Sequence, residues 1–386
     1  MRLKNTFSKF NSSLSGGVVA LYSNRMIQEI ADGLLGLFFP VFLFEKYQSI
    51  NKVLLFYLFS YLLILFLSAP GAMIASRIGF KKALIFSVAG GVGYYICFYF
   101  FDYNIILFSI LALIFINYDR MLYWTPYHSD FAKLTDKKTR GRVIGLLNSV
   151  GSLVGIAVPI LAGFIIAQSG FRALFLIVIV VYASSVIPFF VLPEISEQFT
   201  FGIRQTWKIL FHPRDRRILF TYMADGAENV IAGVVWPIFL FQILRGDYRA
   251  VGVVSSLIIL ATIFIRLILG NYVDKFSKKK LLKYGTIFYS FGWLVKMFVQ
   301  TGFQVFAIST YHNFSSIAMR TPYNALMYEK AADAGHYVDE YTVLRDMSLS
   351  LGRITAILLL MILFSFASLN SAFILAAVVI LFINLL

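Results

Sequence analysis

The sequence predicts an all-α integral membrane protein: twelve transmembrane helices in two pseudo-symmetric six-helix halves. Three observations carry that prediction. Residues of the set AVILMFWYC make up 59% of the 386 and charged residues only 14%, a balance far too apolar for a soluble chain of this length. The apolar residues gather into stretches of roughly 20, the length that crosses the ~30 Å hydrocarbon layer. Three fragments also return in the same order about 197 residues later. Pro40-Val41-Phe42-Leu43-Phe44 returns as Pro237-Ile238-Phe239-Leu240-Phe241. Ser76-Arg77-Ile78-Gly79-Phe80-Lys81-Lys82 returns as Asp274-Lys275-Phe276-Ser277-Lys278-Lys279-Lys280, and Thr125-Pro126-Tyr127 as Thr321-Pro322-Tyr323. A repeat of that size, filled with apolar segments, indicates a duplicated half.

Taken in order, the spans are expected at 18–44, 53–75, 83–101, 104–131, 143–167, 172–192, 218–243, 251–270, 281–300, 303–329, 342–367 and 369–386. All are expected to be helices, because lipid offers no partner to free backbone amides. An even number of spans puts both termini on one side. Most of the 34 Lys and Arg fall in one set of loops: Arg2, Lys4 and Lys9, then Arg77, Lys81 and Lys82, the 133–142 loop, the 204–217 stretch, and Lys275 to Lys283. The positive-inside rule assigns these loops, and both termini, to the cytoplasm. The net charge of +15 then follows from topology and anionic lipid, and its spread over separate loops argues against a nucleic-acid partner. The expected setting is a bacterial inner (plasma) membrane, with the protein a monomer in the lipid bilayer.

Residues 1–17 are polar and basic and run straight into a full-length span, so no cleavable signal peptide is expected. The chain ends inside the twelfth span at Leu385-Leu386, which fits either a protein finishing at the membrane surface or a shortened one. Cys97, the one cysteine, excludes an intramolecular disulfide and a cysteine metal cluster; no metal and no cofactor is expected. The polar stretch 193–217 is the expected cytoplasmic linker between an N-terminal half, 1–192, and a C-terminal half, 218–386. In it Trp207, Ile209, Leu210 and Phe211 alternate with Arg204 and Lys208, the pattern of a short helix lying on the inner membrane surface.

The loops after spans two and eight carry a family signature. Gly270-Asn271-Tyr272-Val273-Asp274-Lys275-Phe276-Ser277-Lys278-Lys279 resembles the repeated motif of the major facilitator superfamily, which reads Gly, three residues, Asp-Arg, one residue, Gly, then a basic pair. Here Lys stands for Arg and Ser for Gly. The first copy, Ala72 to Lys82, keeps Arg77, Gly79, Lys81 and Lys82 but has Ser76 where the family has Asp. The resemblance implies that Arg77, Gly79, Lys81, Gly270, Asp274 and Lys275 belong to cytoplasmic gate loops. It also implies a secondary transporter whose helices one, four, seven and ten line a central path. Arg140-Gly141-Arg142 resembles the family's four-to-five loop. Gly151, Gly155, Pro159 and Gly163 resemble its antiporter motif in part, with Val158 where Gly precedes the Pro. The same small residues every four positions also let two helices pack closely in lipid, and the spacing alone leaves both readings open.

A charge inside a spanning helix costs at least ~2.5 kcal/mol on insertion scales, so each one asks for a reason. In span one, Arg25, Glu29, Asp32 and Gly36 recur at steps of four, three and four, on one helix face. Span seven carries Asp225, Glu228 and Asn229 at similar depth. Span four carries Asn117, Asp119, Arg120, Trp124 and His128, with 117, 124 and 128 on one stripe; span ten repeats that stripe as Asn313, Arg320 and Asn324, with His312 beside it. Arg353 lies on span eleven. Glu29, Asp32, Asp225 and Glu228 are the candidate proton-coupling or cation site, since paired carboxyls withdrawn from water suit a proton carrier and equally a bound cation. Arg25, Asn117, Asp119, Arg120, Trp124, His128, Asn229, His312, Asn313, Arg320, Asn324 and Arg353 are the candidate lining of a substrate cavity. Mutual neutralisation competes with that reading, because the spans hold nearly as many acids as bases and Arg25 has helix-pair spacing to Glu29. Arg345 and Asp346, near the inner boundary, suit a gate or a structural pair, and Lys296 is expected to snorkel to the outer surface.

The function implied is secondary transport of a small-molecule substrate by alternating access, coupled to H⁺ or to Na⁺. Central acids and the partial span-five motif favour proton-coupled efflux of an organic cation. Uptake of a sugar or amino acid and a lipid flippase on the same fold remain alternatives. An integral-membrane enzyme is disfavoured: no His-x-x-x-His, cysteine pair or phosphate-binding Gly-rich loop with Lys is present.

Overall fold

The computed structural model describes residues 16–134, 140–194, 199–273, 277–333 and 338–385, with side chains in 129–150, 152–153, 267–273, 328–333 and 338–339 outside the description. The described residues form twelve helical spans. In the N-terminal half these are Gly16–Gly36 with Phe39–Tyr47, Ile50–Ile78, Phe80–Tyr99, Ile105–Leu134, and Arg140–Ser184, which holds two spans turning at Gly170 (φ 76°). In the C-terminal half they are Arg216–Val230 with Trp236–Ile243, Tyr248–Val273, Lys278–Lys296, Gly302–Asp333, Val338–Leu363, and Ala372–Ile380 continuing as a 3₁₀ turn, Leu381–Leu385. Among the described residues eight stretches are long and apolar enough to cross a membrane on composition alone, spans five and six counting as the single stretch Val154–Val191. Spans nine and ten fall short because polar side chains interrupt them, and span twelve because its α-helical part is brief.

Two devices shape these helices. Pro70, Pro126, Pro159 and Pro322 sit inside spans, where each removes a backbone donor and allows a bend. In span seven the α-helix gives way to a π-helical turn, Ile231–Val235, directly after the acid pair. Such turns widen the helix where a site needs it.

The halves meet along two seams. Span five lies against span eight so closely that a Cβ on Gly163 would stand 2.4 Å from the Tyr248 carbonyl oxygen, and one on Gly252 would stand 2.4 Å from that of Pro159. The small residues of span five thus serve helix packing. Span two meets span eleven through Leu65, Ala69 and Ala72 against Val343 and Met347. At the end of the molecule holding the 47–50 turn, Tyr248 gathers the rings of Phe38, Phe171 and Phe241 at 6.1, 5.5 and 4.8 Å and donates to Glu45. That cluster binds the two halves together there.

The stretch after span six carries the short helix Ile203–Leu210, whose Thr206 and Leu210 are buried. Trp207 tilts over Phe66 of span two at 5.6 Å, so this helix is fastened to the bundle on its apolar side.

Candidate functional site

The two halves handle their acid pairs differently. In the N-terminal half Asp32 stands beside open space, while Glu29 pairs with Arg25. A cavity of about 290 Å³ is lined by residues of spans one, two, three, four and six, among them Arg25, Asp32, Asp119, Arg120 and Trp124. Asp32 is exposed to that space and accepts a hydrogen bond from the Tyr95 hydroxyl at 2.7 Å. Asp119 is buried and accepts from the Tyr182 hydroxyl at 3.2 Å. The Tyr182 ring fits only because span three offers Gly91: a Cβ there would lie 2.0 Å from Cε1 of the ring.

The cavity's two arginines are held differently. Arg25 Nε donates to Glu29 Oε1 at 3.1 Å, one turn along its own helix, while its guanidinium rides 5.3 Å above the Trp124 ring. Arg120 donates to Ser60 Oγ at 3.0 Å and lies 5.9 Å from the Tyr61 ring. Among the described residues, Asp32, Asp119 and Arg120 form no ion pair within 4 Å.

In the C-terminal half the acids are closed into a network. Arg320 sends one amino nitrogen to Asp225 Oδ1 at 2.9 Å and the other to Glu228 Oε2 at 2.8 Å. Tyr323 donates to Asp225 Oδ2 at 3.2 Å, Tyr289 to Glu228 Oε1 at 2.7 Å, and Asn229 Nδ2 to the Asp225 carbonyl oxygen at 2.7 Å. The bidentate guanidinium answers the desolvation of both carboxylates at once. Tyr95 on Asp32 and Tyr289 on Glu228 are counterparts, so the duplication extends to the hydrogen bonds. The arginine breaks it: Trp124 occupies the position equivalent to Arg320.

Several candidates lie elsewhere. Arg320, expected to point into a substrate path, is instead the counter-ion of the span-seven acids. Asn117 is buried and donates to the Leu113 carbonyl of its own helix at 2.8 Å, the common bond of a short polar side chain in lipid-embedded helix. His128 stacks on Trp124 with ring centroids 5.6 Å apart. His312 turns toward span nine, stacked on Tyr289 at 4.0 Å, and Asn313 donates to Thr262 of span eight at 3.3 Å. Asn324 is exposed. Arg353 reaches the other half, 5.0 Å from the Tyr61 ring. Lys296 does not snorkel: it is 4% exposed, held between the Trp236 and Trp293 rings at 4.1 and 4.3 Å, an aromatic clamp that substitutes for water.

Of the loop residues, Gly79 ends span two with φ 92°, a conformation that favours glycine. Lys81 donates to the Phe190 carbonyl at 3.0 Å, and Arg77 stands in the last turn of span two. Gly270 lies in the span-eight helix; Asp274 and Lys275 lie outside the described residues.

Sequence reasoning missed the tyrosines. Tyr57, Tyr94, Tyr95 and Tyr182 all line the cavity, and two of them hold its acids. The available signal was Gly90-Gly91 followed by Tyr94-Tyr95, small residues beside hydroxyl donors on a membrane helix.

Twelve spans in two like halves, with buried carboxylates in each, form an arrangement found in many secondary transporters. The Major Facilitator Superfamily model matches residues 21–338. The chain belongs to that superfamily. It is also similar to the uncharacterized protein YqgE of Bacillus subtilis (strain 168), 26% identical over 248 residues, 61% of this chain and 56% of the relative. The match thus spans little more than half of that relative.

Proposed function

We propose that the protein is a proton-coupled secondary transporter, set in a bacterial inner membrane with both termini cytoplasmic, that carries a small solute bearing a positively charged group. One observation carries the reading: Asp32 and Asp119 face a cavity with tyrosine hydroxyls as their partners and no ion pair among the described residues. Two carboxylates so placed bind a cation, a proton or both in competition. The aromatic wall around them adds a face for a desolvated ammonium.

The C-terminal network supports the coupling half of the reading. Asp225 and Glu228 share Arg320, so a proton added to either weakens its hold on that arginine. Rocking of one half against the other about the two seams then exposes the cavity alternately to each side.

The test uses purified protein in liposomes loaded with a pH-sensitive dye. Small amines and amino acids are added outside, singly, with and without Na⁺. A solute that moves protons across the bilayer without Na⁺ supports the proposal. Solute uptake that follows a Na⁺ gradient and leaves the dye unchanged overturns the coupling.

A further inference from the structure

We infer that the cavity of the N-terminal half recognises a small zwitterion, a molecule with one cationic and one anionic group on a frame of on the order of ten non-hydrogen atoms. This deepens the transport reading above and rests on it for the claim that the bound molecule is the one carried.

The argument is a charge count over the cavity wall. Arg25 is answered by Glu29, which leaves Asp32, Asp119 and Arg120 lining the cavity with hydroxyl partners and, among the described residues, no ion pair within 4 Å. Asp119 is buried, and a buried charge costs several kcal/mol unless something of opposite sign meets it; Asp32 is exposed and Arg120 half-buried, each lining the cavity itself. A simple cation would satisfy the acids and leave Arg120 unmet. A simple anion would do the reverse, and a neutral sugar would meet none of the three charges. A zwitterion places its cationic group on the carboxylates and its anionic group on the guanidinium, a planar fork suited to a carboxylate or similar oxyanion.

The remainder is one negative charge, since two carboxylates face one guanidinium that, among the described residues, has no ion pair within 4 Å. A single proton on Asp32 or Asp119 then makes the loaded cavity neutral. The wall itself therefore supplies a reason for solute and proton to travel as a unit.

Size narrows the class further. At ~30 Å³ per water in the liquid, 290 Å³ holds on the order of ten waters. That suits an amino acid or a betaine.

The experiment measures equilibrium binding to the full chain in nanodiscs, with no gradient, using the common L-amino acids and glycine betaine as probes. At least one should bind. Its carboxamide, which keeps only the cation, and its deaminated acid, which keeps only the anion, should each bind on the order of tenfold more weakly or worse. Arg120→Gln should bind the zwitterion no better than the carboxamide, and Arg120→Lys should recover part of the difference. Binding of the carboxamide as tight as that of its zwitterion overturns the inference, as does binding by no member of the panel. Should Arg120→Gln fail to fold, the discrimination by the native protein decides alone. Tight carboxamide binding leaves the transport reading intact, whereas that reading fails in the dye experiment whatever binds here.

Discussion

Replacing Arg320 by Ala tests the C-terminal network directly. The variant leaves Asp225 and Glu228, 6% and 1% exposed at the side chain, without their guanidinium. Breaking a buried ion pair by removing one partner costs ~3–5 kcal/mol, because the other charge stays buried and unmet. Arg320 itself is 33% exposed, and Tyr289, Tyr323 and Asn229 still donate to the acids, so the low end, ~3 kcal/mol, applies. At about 2 °C per kcal/mol for a large domain, the melting temperature in detergent should fall by roughly 6 °C. A triple variant, Arg320→Met with Asp225→Asn and Glu228→Gln, should recover most of that loss, since no charge then remains to be matched. Thermal denaturation followed by tryptophan fluorescence, at one fixed heating rate because unfolding of such proteins is often irreversible, supplies all the values. An Arg320→Ala protein as stable as the native one, or a triple variant less stable than Arg320→Ala, would refute the assignment of Arg320 as counter-ion.

Four further expectations follow from the same geometry. Asp32→Asn should abolish pH-driven accumulation of solute in vesicles yet leave exchange down a solute gradient, and full accumulation by the variant would move the coupling role to Asp225 and Glu228. Gly252→Val should destabilise the protein by ~1–3 kcal/mol, because its added carbons meet the Pro159 carbonyl; an unchanged melting temperature would show that the span-five seam yields. A cysteine at Ser277 should react with an impermeant maleimide only from the cytoplasmic side, and labelling of intact cells from outside would invert the topology. The double change Arg25→Thr with Trp124→Arg rebuilds in the N-terminal half the pattern of Thr221, Asp225, Glu228 and Arg320; it should abolish ligand binding in the cavity without lowering the melting temperature by more than a few degrees, and retained binding would contradict the role given to Asp32.

The fold was legible because lipid makes its demands on every residue of a span. Twenty apolar residues and a repeat near 197 are read by counting, and Gly170 or the 244–247 turn needs no side-chain detail to be placed. The site was legible only in part. The polar residues of spans one and four pointed to Arg25, Asp32, Asp119, Arg120 and Trp124, which line the cavity, and also to Glu29, Asn117 and His128, which are not among its lining residues. The same reasoning sent Arg320 and Asn313 there as well, because a helical stripe states which residues share a face and not which neighbouring helix that face meets. Arg320 is long enough to reach span seven, and two carboxylates there outcompete water. Tyr95 and Tyr182 escaped notice because tyrosine is common in this chain, 22 of 386, and its hydroxyl matters only where an acid happens to lie within reach.

The asymmetry between the halves carries the mechanistic argument. Each half brings an acid pair to the same depth and places a tyrosine hydroxyl on the second acid, Tyr95 on Asp32 and Tyr289 on Glu228. The difference lies in where the arginine is mounted. In the C-terminal half it comes from span ten and bridges both acids. In the N-terminal half it comes from span one, one turn from Glu29, and among the described residues that acid is its ion-pair partner within 4 Å. Asp32 is thereby left to the cavity, and Trp124, standing where an arginine would fill the space, instead supplies a ring beneath Arg25. One duplicated scaffold thus yields a half whose two acids are bridged by one arginine and a half whose Asp32 faces a cavity, the division that a carrier binding in one place and responding in another would need.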